Sequence, residues 1–262
     1  MKIAFLHFVY CGNRQEENQQ KILQGMKLAA SHGAQWVLTP EMALQGYQMI
    51  REDFPFQIAT LQNGVLEPFQ RAAASYKQRL FLGCAYNEKR EPHNSIVVLN
   101  PDGSYCGQHA KVKVVQWITE KWAHPGEEFA VWNLDGIKTS VMVCADMYFA
   151  EYGERIAKEG AELVIGGACW PPGGHAGPPE EAWKRLSKAA GGITVLVSNQ
   201  TSAANSAMDC SRAQSAVIEQ GKLRFTYEGA EAVLLIDFDE QSKRVNSDSF
   251  EVHALQQIWA EK

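Results

Sequence analysis

Three residues of this chain stand where a protein could perform nucleophilic chemistry, and Cys144 is the first. It follows the apolar run 141–143 and precedes the polar pair Ala145 and Asp146. A thiol at such a strand end lies at the sheet edge where α/β proteins form clefts, and backbone N–H groups there can lower its pKa or bind an oxyanion. Taken alone, however, a cysteine in this position is more often a small buried hydrophobic residue.

Glu41 and Lys111 are the other two residues. Glu41 comes just after the strand-like run 36–38 and Pro40. A carboxylate is either solvated or held in a polar site with a raised pKa, because uncompensated burial is too costly. Lys111 lies in segment 108–114, whose alternation could place it on the solvent face of an edge strand. A structural role explains each residue alone, so chemistry depends on whether the fold brings the three together.

The surrounding chain has the pattern of an α/β protein whose strands are buried on both faces. Apolar runs rich in Val, Ile, Leu and Phe alternate with amphipathic stretches. The periodicity predicts helices at about 15–31, 65–78, 151–158 and 180–190, with Asn13 as the N-cap of the first. The predicted strands are about 3–10, 36–38, 80–86, 95–99, 140–143, 163–165, 193–197, 213–218, 223–227 and 232–236. The proline- and glycine-rich stretch 170–179 is predicted to be a loop at the surface or at the edge of a site.

Composition argues against several classes of function. The chain has 262 residues, of which 45% are hydrophobic, enough for a sizeable core. A formal charge of -5 with interspersed signs provides no basic stripe for a nucleic acid. No apolar run reaches the roughly 20 residues that cross a bilayer, and no signal peptide is recognisable, so we expect a cytoplasmic protein without a membrane partner. Six dispersed cysteines without metal-ligand spacings predict reduced thiols and no metal site.

The segments around the three residues carry a set of motifs. Residues 39–47 read T-P-E-M-A-L-Q-G-Y, residues 94–103 read N-S-I-V-V-L-N-P-D-G, and residues 143–151 read V-C-A-D-M-Y-F-A-E. Residues 160–170 begin with G-A-E and end with A-C-W. Over residues 2–237 these motifs resemble those of the nitrilase, or carbon–nitrogen hydrolase, superfamily. The order Glu, Lys, Cys and the separations of about 70 and then 33 residues also match that family.

This resemblance implies a fold and a set of site residues. The fold is a four-layer α-β-β-α sandwich in one domain over residues 1–262, with 238–262 as a C-terminal tail. The residues implied in catalysis are Glu41, Lys111, Cys144 and Glu120, and the candidates for substrate binding are Ala145, Tyr148 and Trp170. The chemistry implied requires no metal and no organic cofactor.

The mechanism that the resemblance implies is hydrolysis of a small amide, carbamoyl compound or nitrile. Cys144 would attack the carbon and form a thioester or thioimidate, with Glu41 as the general base. Lys111 and the N–H of Ala145 would stabilise the oxyanion. Glu120 is the best match to the family's second glutamate and would position Lys111 or the substrate.

Departures from the family pattern leave alternatives open. Tyr148 stands where the family has an arginine after the nucleophile, and His109 and Ala110 replace the usual Tyr-Arg. True nitrilases carry Trp-Glu where this chain has Ala145 and Asp146, which favours amide or carbamoyl substrates over nitriles. The chain could also be a non-catalytic binding protein, or a doubly wound α/β protein in which these residues are structural. Ten or more predicted strands exceed what one such sheet usually holds and favour the sandwich.

The C-terminal tail predicts an oligomer. It carries Phe250, Val252, Leu255, Ile258 and Trp259, and the last four are spaced as on one face of a helix. Because family members commonly pair, we expect a homodimer or a higher homo-oligomer. Packing of the tail on the chain's own core is the alternative.

Overall fold

Four α-helices and fourteen strands make up the described part of the chain. The computed structural model describes residues 1–47, 57–88, 91–115, 120–173, 177–202 and 209–255. The helices are α1 (Gln15–Ser31), α2 (Glu67–Tyr76), α3 (Ala150–Lys158) and α4 (Pro179–Ala189), and a short 3-10 helix spans Cys144–Tyr148. The strands are β1 (Lys2–His7), β2 (Ala34–Leu38), β3 (Arg79–Glu88), β4 (Glu91–Leu99), β5 (Tyr105–Ala110), β6 (Val131–Leu134), β7 (Ile137–Val143), β8 (Leu163–Ala168), β9 (Thr194–Asn199), β10 (Ser215–Glu219), β11 (Lys222–Tyr227), β12 (Ala232–Asp239), β13 (Arg244–Val245) and β14 (Glu251–Ala254).

The strands form two sheets. The first has the order β13-β12-β1-β2-β3-β4-β5, with β14 also paired to β12. The second has the order β11-β10-β9-β8-β7-β6. In each sheet a parallel centre, β1-β2-β3 in the first and β7-β8-β9 in the second, is extended by antiparallel strands. The carboxyl ends of β2 and β7 therefore each carry one of the residues on which the chemistry depends, Glu41 and Cys144.

The two sheets face each other and the helices cover their outer faces. Between the sheets, Trp36 and Phe81 of the first pack with Val141 and Ile165 of the second in one apolar core. A second core lies under α1 and α2 and a third under α3 and α4. This arrangement confirms the α-β-β-α sandwich and excludes the single doubly wound sheet.

The predicted helices and strands are present in the structure, but some strands and one helix cap were not predicted correctly. Every predicted helix and strand is present, most of them with shifted ends, whereas β5, β6, β13 and β14 were not predicted. The prediction of Asn13 as a helix cap is wrong, because Arg14 occupies that position without a side-chain hydrogen bond and Asn13 has a φ of 63°. None of the helices in the described ranges is long and apolar enough to cross a bilayer.

The C-terminal tail extends the first sheet. The helical face predicted for it is wrong at Val252, because Glu251–Ala254 forms strand β14. Ile258 and Trp259 lie outside the described residues. Phe250 is buried and packs edge-on against Phe5 and Phe225. This part of the tail therefore packs on the chain's own core, while the single-domain boundaries and the oligomer stay predictions.

Candidate active site

The candidate nucleophile occupies a strained turn at the end of β7. Strand β7 ends at Val143, and Cys144 begins the 3-10 helix with a φ of 45°. This left-handed conformation is unfavourable for a residue with a side chain, at a cost of roughly 1–3 kcal/mol. The turn aims the Cys144 side chain at the space beyond the strand end, where it is half-buried.

Asp146 holds this turn in place. Its fully buried carboxylate accepts hydrogen bonds from the backbone N–H of Val143 at 3.1 Å, of Val112 at 3.0 Å and of Lys113 at 2.8 Å. The ring nitrogen Nε2 of His109 lies 2.9 Å from Oδ2 of the same carboxylate. Because these partners come from β7 and from the segment that carries Lys111, Asp146 fixes the nucleophile turn relative to the lysine.

Glu41 is positioned by close approach of its loop to both sheets. A methyl group on Gly83 of β3 would lie 1.9 Å from the carbonyl oxygen of Pro40, and one on Gly167 of β8 would lie 3.1 Å from that of Thr39. The hydroxyl of Thr39 also accepts a 2.8 Å hydrogen bond from the N–H of Gly83. The two glycines therefore let the chain pass between the sheets and place Glu41 in the interior.

Lys111 lies between two carboxylates in a buried polar cluster. Its Nζ is 2.6 Å from Oε1 of Glu41 and 2.8 and 3.0 Å from the two oxygens of Glu120. The side-chain amide of Asn94 donates to Glu41 at 2.8 Å and also to Glu120. None of these four side chains is more than 1% exposed. The alternative interpretations of the isolated residues, a solvated Glu41 and a Lys111 on the solvent face of an edge strand, are therefore wrong.

The backbone of Cys169 connects this cluster to the nucleophile. Its N–H donates to Oε2 of Glu41 at 3.1 Å, and its carbonyl oxygen accepts a long 3.9 Å contact from the Cys144 thiol. Strand β8 ends at Ala168, so Cys169 lies at the carboxyl edge beside the end of β7. The thiol and the Glu41 carboxylate consequently face the same small space.

Burial and mutual charge set the protonation of the three groups. Burial raises the pKa of Glu41, and the nearby Lys111 ammonium only partly opposes this. Burial also raises the pKa of the Cys144 thiol well above its usual value, and the Glu41 carboxylate adds to the effect. For Lys111, burial acts against the charged form, but Glu41 and Glu120 hold its pKa well above the ordinary value. Cys144 thus rests as a thiol beside a cationic lysine.

The predicted substrate-binding residues lie on one side of the nucleophile. Ala145 follows Cys144 in the 3-10 helix, and Tyr148 ends that helix with 37% of its surface exposed. The ring of Tyr148 is 6.4 Å from that of Trp170, and the guanidinium of Arg185 in α4 lies 5.4 Å over the Tyr148 ring. Trp170 comes directly after Cys169 and is nearly buried. This places the two aromatic rings beside the turn that carries the thiol.

Sequence reasoning assigned no role to three residues that organise the site. Asn94 bridges the two glutamates, Asp146 fixes the nucleophile turn, and Cys169 contacts both the base and the thiol. Asn94 and Asp146 both stand inside the quoted motifs. Asn94 comes directly before a predicted strand and Asp146 follows the nucleophile, and these positions could have indicated a role in the site. The role of Cys169 lies in its backbone, which no residue type could have revealed.

A sequence profile of the family described as carbon-nitrogen hydrolase matches residues 11–228, which is most of the chain. The chain belongs to this family. The match includes Glu41, Lys111, Glu120 and Cys144.

Several known enzymes with different names are similar to this chain in sequence or in structure. A nitrilase of Pyrococcus abyssi is 29% identical over 153 residues, 57% of each chain, and a citrullinase of Francisella tularensis is 27% identical over 217 residues, 76% of this chain and 74% of the relative. For the Pyrococcus protein the match thus spans little more than half of the relative's length. The NitN amidase of Nesterenkonia sp. AN1 shares the fold with a TM-score of 0.79 and 20% identity, over 93% of this chain and 94% of the amidase. A structure of a mutant of that amidase shows acrylamide added to its active-site cysteine.

Proposed function

We propose that this chain hydrolyses a C–N bond, other than a peptide bond, in a small amide or carbamoyl compound through a thioester on Cys144. The observation that carries the proposal is the buried Lys111 ammonium fixed between Glu41 and Glu120, with the Cys144 thiol facing the same space. A buried cation next to a strand-end thiol and a carboxylate with a raised pKa is the set of groups that acyl transfer requires.

The first half of the reaction forms the thioester. Glu41 takes the thiol proton as the Cys144 sulfur attacks the carbonyl carbon, since a thiol with a raised pKa does not ionise beforehand. The carbonyl oxygen becomes an oxyanion near Lys111 and the N–H of Ala145. The C–N bond then breaks, and the proton held by Glu41 leaves with ammonia or the amine.

The second half restores the thiol. Glu41 takes a proton from water, whose oxygen attacks the thioester carbon, and the second tetrahedral intermediate uses the same oxyanion donors. When the C–S bond breaks, the proton returns to Cys144 and the acid is released. Glu120 also binds Lys111 through both of its oxygens, so the ammonium stays in place through both halves.

An ammonium has three N–H donors, which fits this role for Lys111. All three have a partner, since Nζ lies 2.6 Å from Oε1 of Glu41 and 2.8 and 3.0 Å from the two oxygens of Glu120. A substrate oxygen would replace the longest of these contacts, the one to Oε2 of Glu120. Asp146 instead holds the backbone of the nucleophile turn and of the segment that carries Lys111. Glu41 is the carboxylate that acts on the Cys144 thiol, through its charge and a side-chain hydrogen bond that both raise the thiol pKa.

The names of the relatives support an amide or carbamoyl substrate, since a citrullinase, an omega-amidase of Xenopus tropicalis and a 2-oxoglutaramate amidase of Bacillus subtilis are among them. The Pyrococcus relative named nitrilase favours a second candidate function, nitrile hydrolysis through a thioimidate. Ammonia release from small amides, ω-amides of dicarboxylic acids, N-carbamoyl compounds and nitriles distinguishes them. Turnover of nitriles alone would replace the proposal by the second candidate.

A non-catalytic binding protein predicts no turnover of any of these compounds. Acrylamide provides a direct test, because it combines an amide with an electrophilic carbon. We expect it to modify Cys144 faster than the exposed Cys106. Equal labelling of the two cysteines, together with no ammonia release, would favour the binding protein. A cytoplasmic location and a homodimer stay predictions.

A further inference from the structure

Three side chains far from the active site in sequence come together at the surface. They are His32, at the C-terminal end of α1, and Glu251 and His253, on β14. One potential ligand atom of each lies within 4.8 Å of the others. The two imidazole rings are 3.7 Å apart between centroids with a tilt of 33°, and Nε2 of His253 is 2.8 Å from Oε1 of Glu251.

The register of the first sheet explains why these side chains meet. Strand β14 pairs antiparallel with β12, so that Glu251 lies opposite Leu235 and His253 opposite Val233. Residues directly opposite each other point to the same face of a sheet. Val233 and Leu235 belong to the core under α1. Glu251 and His253 therefore point toward the helix layer, where α1 ends at His32.

We propose that His32, Glu251 and His253 bind a divalent transition-metal cation, with Zn²⁺ as the best fit. Two imidazole nitrogens and one carboxylate oxygen are a common protein ligand set for Zn²⁺, and water completes a tetrahedron. Bonds of about 2.0–2.1 Å in a tetrahedron place the ligand atoms roughly 3.3 Å apart. The present spacing thus requires side-chain movements of about 1.5 Å or less, which the exposed Glu251 and the half-exposed His32 and His253 allow.

The neighbouring charges are compatible with a cation. Lys2 is the competing positive charge, with its Nζ 3.4 Å from Oε2 of Glu251. The same ammonium lies 3.6 Å from Asp237, so it keeps an anionic partner when the metal takes Glu251. The oxygen that faces His253 is Oε1, the other one. Lys27 lines the adjacent groove and adds a second positive charge there.

A cation bound here joins the last described strand to the end of α1. The ligand residues are separate from Glu41, Lys111 and Cys144, so metal binding has no part in the proposed hydrolysis. A ligand that binds only the folded chain stabilises it in proportion to the logarithm of its free concentration over Kd. The cation therefore holds β14 on the sheet and raises the melting temperature.

Titration of the full-length chain with Co²⁺, which adopts the coordination of Zn²⁺, tests the site directly. Cobalt bound by nitrogen and oxygen in a tetrahedron shows intense visible bands, and thiolate ligands add a charge-transfer band in the near ultraviolet. We expect one equivalent to bind with the visible bands alone and Zn²⁺ to displace it. His32→Ala, His253→Ala and Glu251→Gln should each weaken binding at least tenfold and abolish the metal-dependent rise in melting temperature.

The exposed His124 provides a matched control on another surface. His124→Ala should bind Co²⁺ as the unmodified chain does, and circular dichroism checks that every variant is folded. Thiolate bands would place the metal on cysteines and overturn the proposal. Unchanged binding in the His32 and His253 variants, or no binding at micromolar protein with a few equivalents of metal, would also overturn it.

Discussion

At the scale of single residues, the thiol of Cys144 and the carboxyl group of Glu41 both favour their neutral forms. Burial raises the pKa of both Cys144 and Glu41. Proton transfer between them is therefore not separated from attack on the substrate, because burial makes a free thiolate unfavourable in this space. Lys111 makes the transfer feasible by favouring negative charge on the oxygen that develops it.

Removal of the nucleophile is the first test at this scale. Cys144→Ala and Cys144→Ser should abolish turnover while the fold survives, since little buried volume is lost. Steady-state ammonia release on a verified substrate measures this, and circular dichroism serves as the folding control. An alanine variant with even about a tenth of the original rate would contradict a covalent mechanism. Mass spectrometry of an acyl adduct on Cys144 would support it.

The charged pair gives the second test. Glu41→Gln keeps the shape but cannot accept the proton, and Lys111→Met removes the oxyanion's cation, so each should lower kcat by a factor of about 10² or more. Because the two groups act as a unit, the double variant should be far less than multiplicatively slower. Rate measurements on the four proteins decide this, and multiplicative losses would place the two residues in separate functions.

The pH dependence of kcat/KM gives the third test. Glu41 acts as a base only when ionised, and its pKa is raised from the ordinary value of 4.5 by burial. Activity should therefore be lost as the pH falls through this raised value, at a higher pH than an ordinary glutamate would give. The pKa of Lys111 is raised well above its usual value, so it does not produce an alkaline limb near neutral pH. An acid limb at or below 4.5 would show that the pKa of the base is not raised by burial.

At the scale of elements, the site depends on how closely a loop approaches two sheets. Gly83→Ala introduces a methyl group 1.9 Å from the Pro40 carbonyl, which must push Glu41 away from Lys111. We expect a loss of kcat of at least tenfold and a destabilisation of about 1–3 kcal/mol. Gly107→Ala in β5 is the control, because its new methyl group meets only the Trp132 ring at 3.6 Å.

Kinetics and thermal unfolding of both variants measure the effect. The control should retain the activity and the melting temperature of the unmodified chain. Full activity in Gly83→Ala would mean that the loop can shift without displacing the carboxylate, and that the close approach does not set the position of Glu41.

The elements also show what the sequence could and could not predict. Buried parallel strands such as β7 and β8 are predictable, because their long apolar runs reflect burial on both faces. Strand β14 was missed because Val252 was read as part of a helical face with Leu255, Ile258 and Trp259, whereas the short alternating run Glu251–Ala254 is held as a strand by its pairing with β12. The burial of Lys111 was likewise not readable locally, since it depends on carboxylates 70 residues before it and nine after it. Only the family motifs connected these positions before the structure did.

At the scale of the whole molecule, each sheet supplies part of the site. Glu41, Asn94 and Lys111 follow or belong to strands of the first sheet, and Cys144 and Cys169 follow strands of the second. The base and the nucleophile are thus brought together by the packing of the two sheets. We expect a loosening of the core between the sheets to change the distance between Glu41 and Cys144 before it disturbs the local contacts of either side chain.

Association with a second copy is the prediction at this scale. Val252 remains 47% exposed on β14, where a lone chain gains nothing from an apolar side chain. We expect sedimentation at micromolar concentration to give about twice the monomer mass, and Val252→Lys to shift the chain toward the monomer. The control is Leu61→Lys, at another exposed apolar residue. A clean monomer of the unmodified chain would refute the prediction.

The backbone angle at Cys144 has a consequence for the history of such a chain. A φ of 45° is a conformation in which glycine is at ease and cysteine is not. Selection for the reaction therefore favours cysteine at position 144, whereas selection for stability favours glycine there. A duplicated copy that no longer needed the thiol could gain stability by a single replacement there, and that gain would make the return to an active form harder.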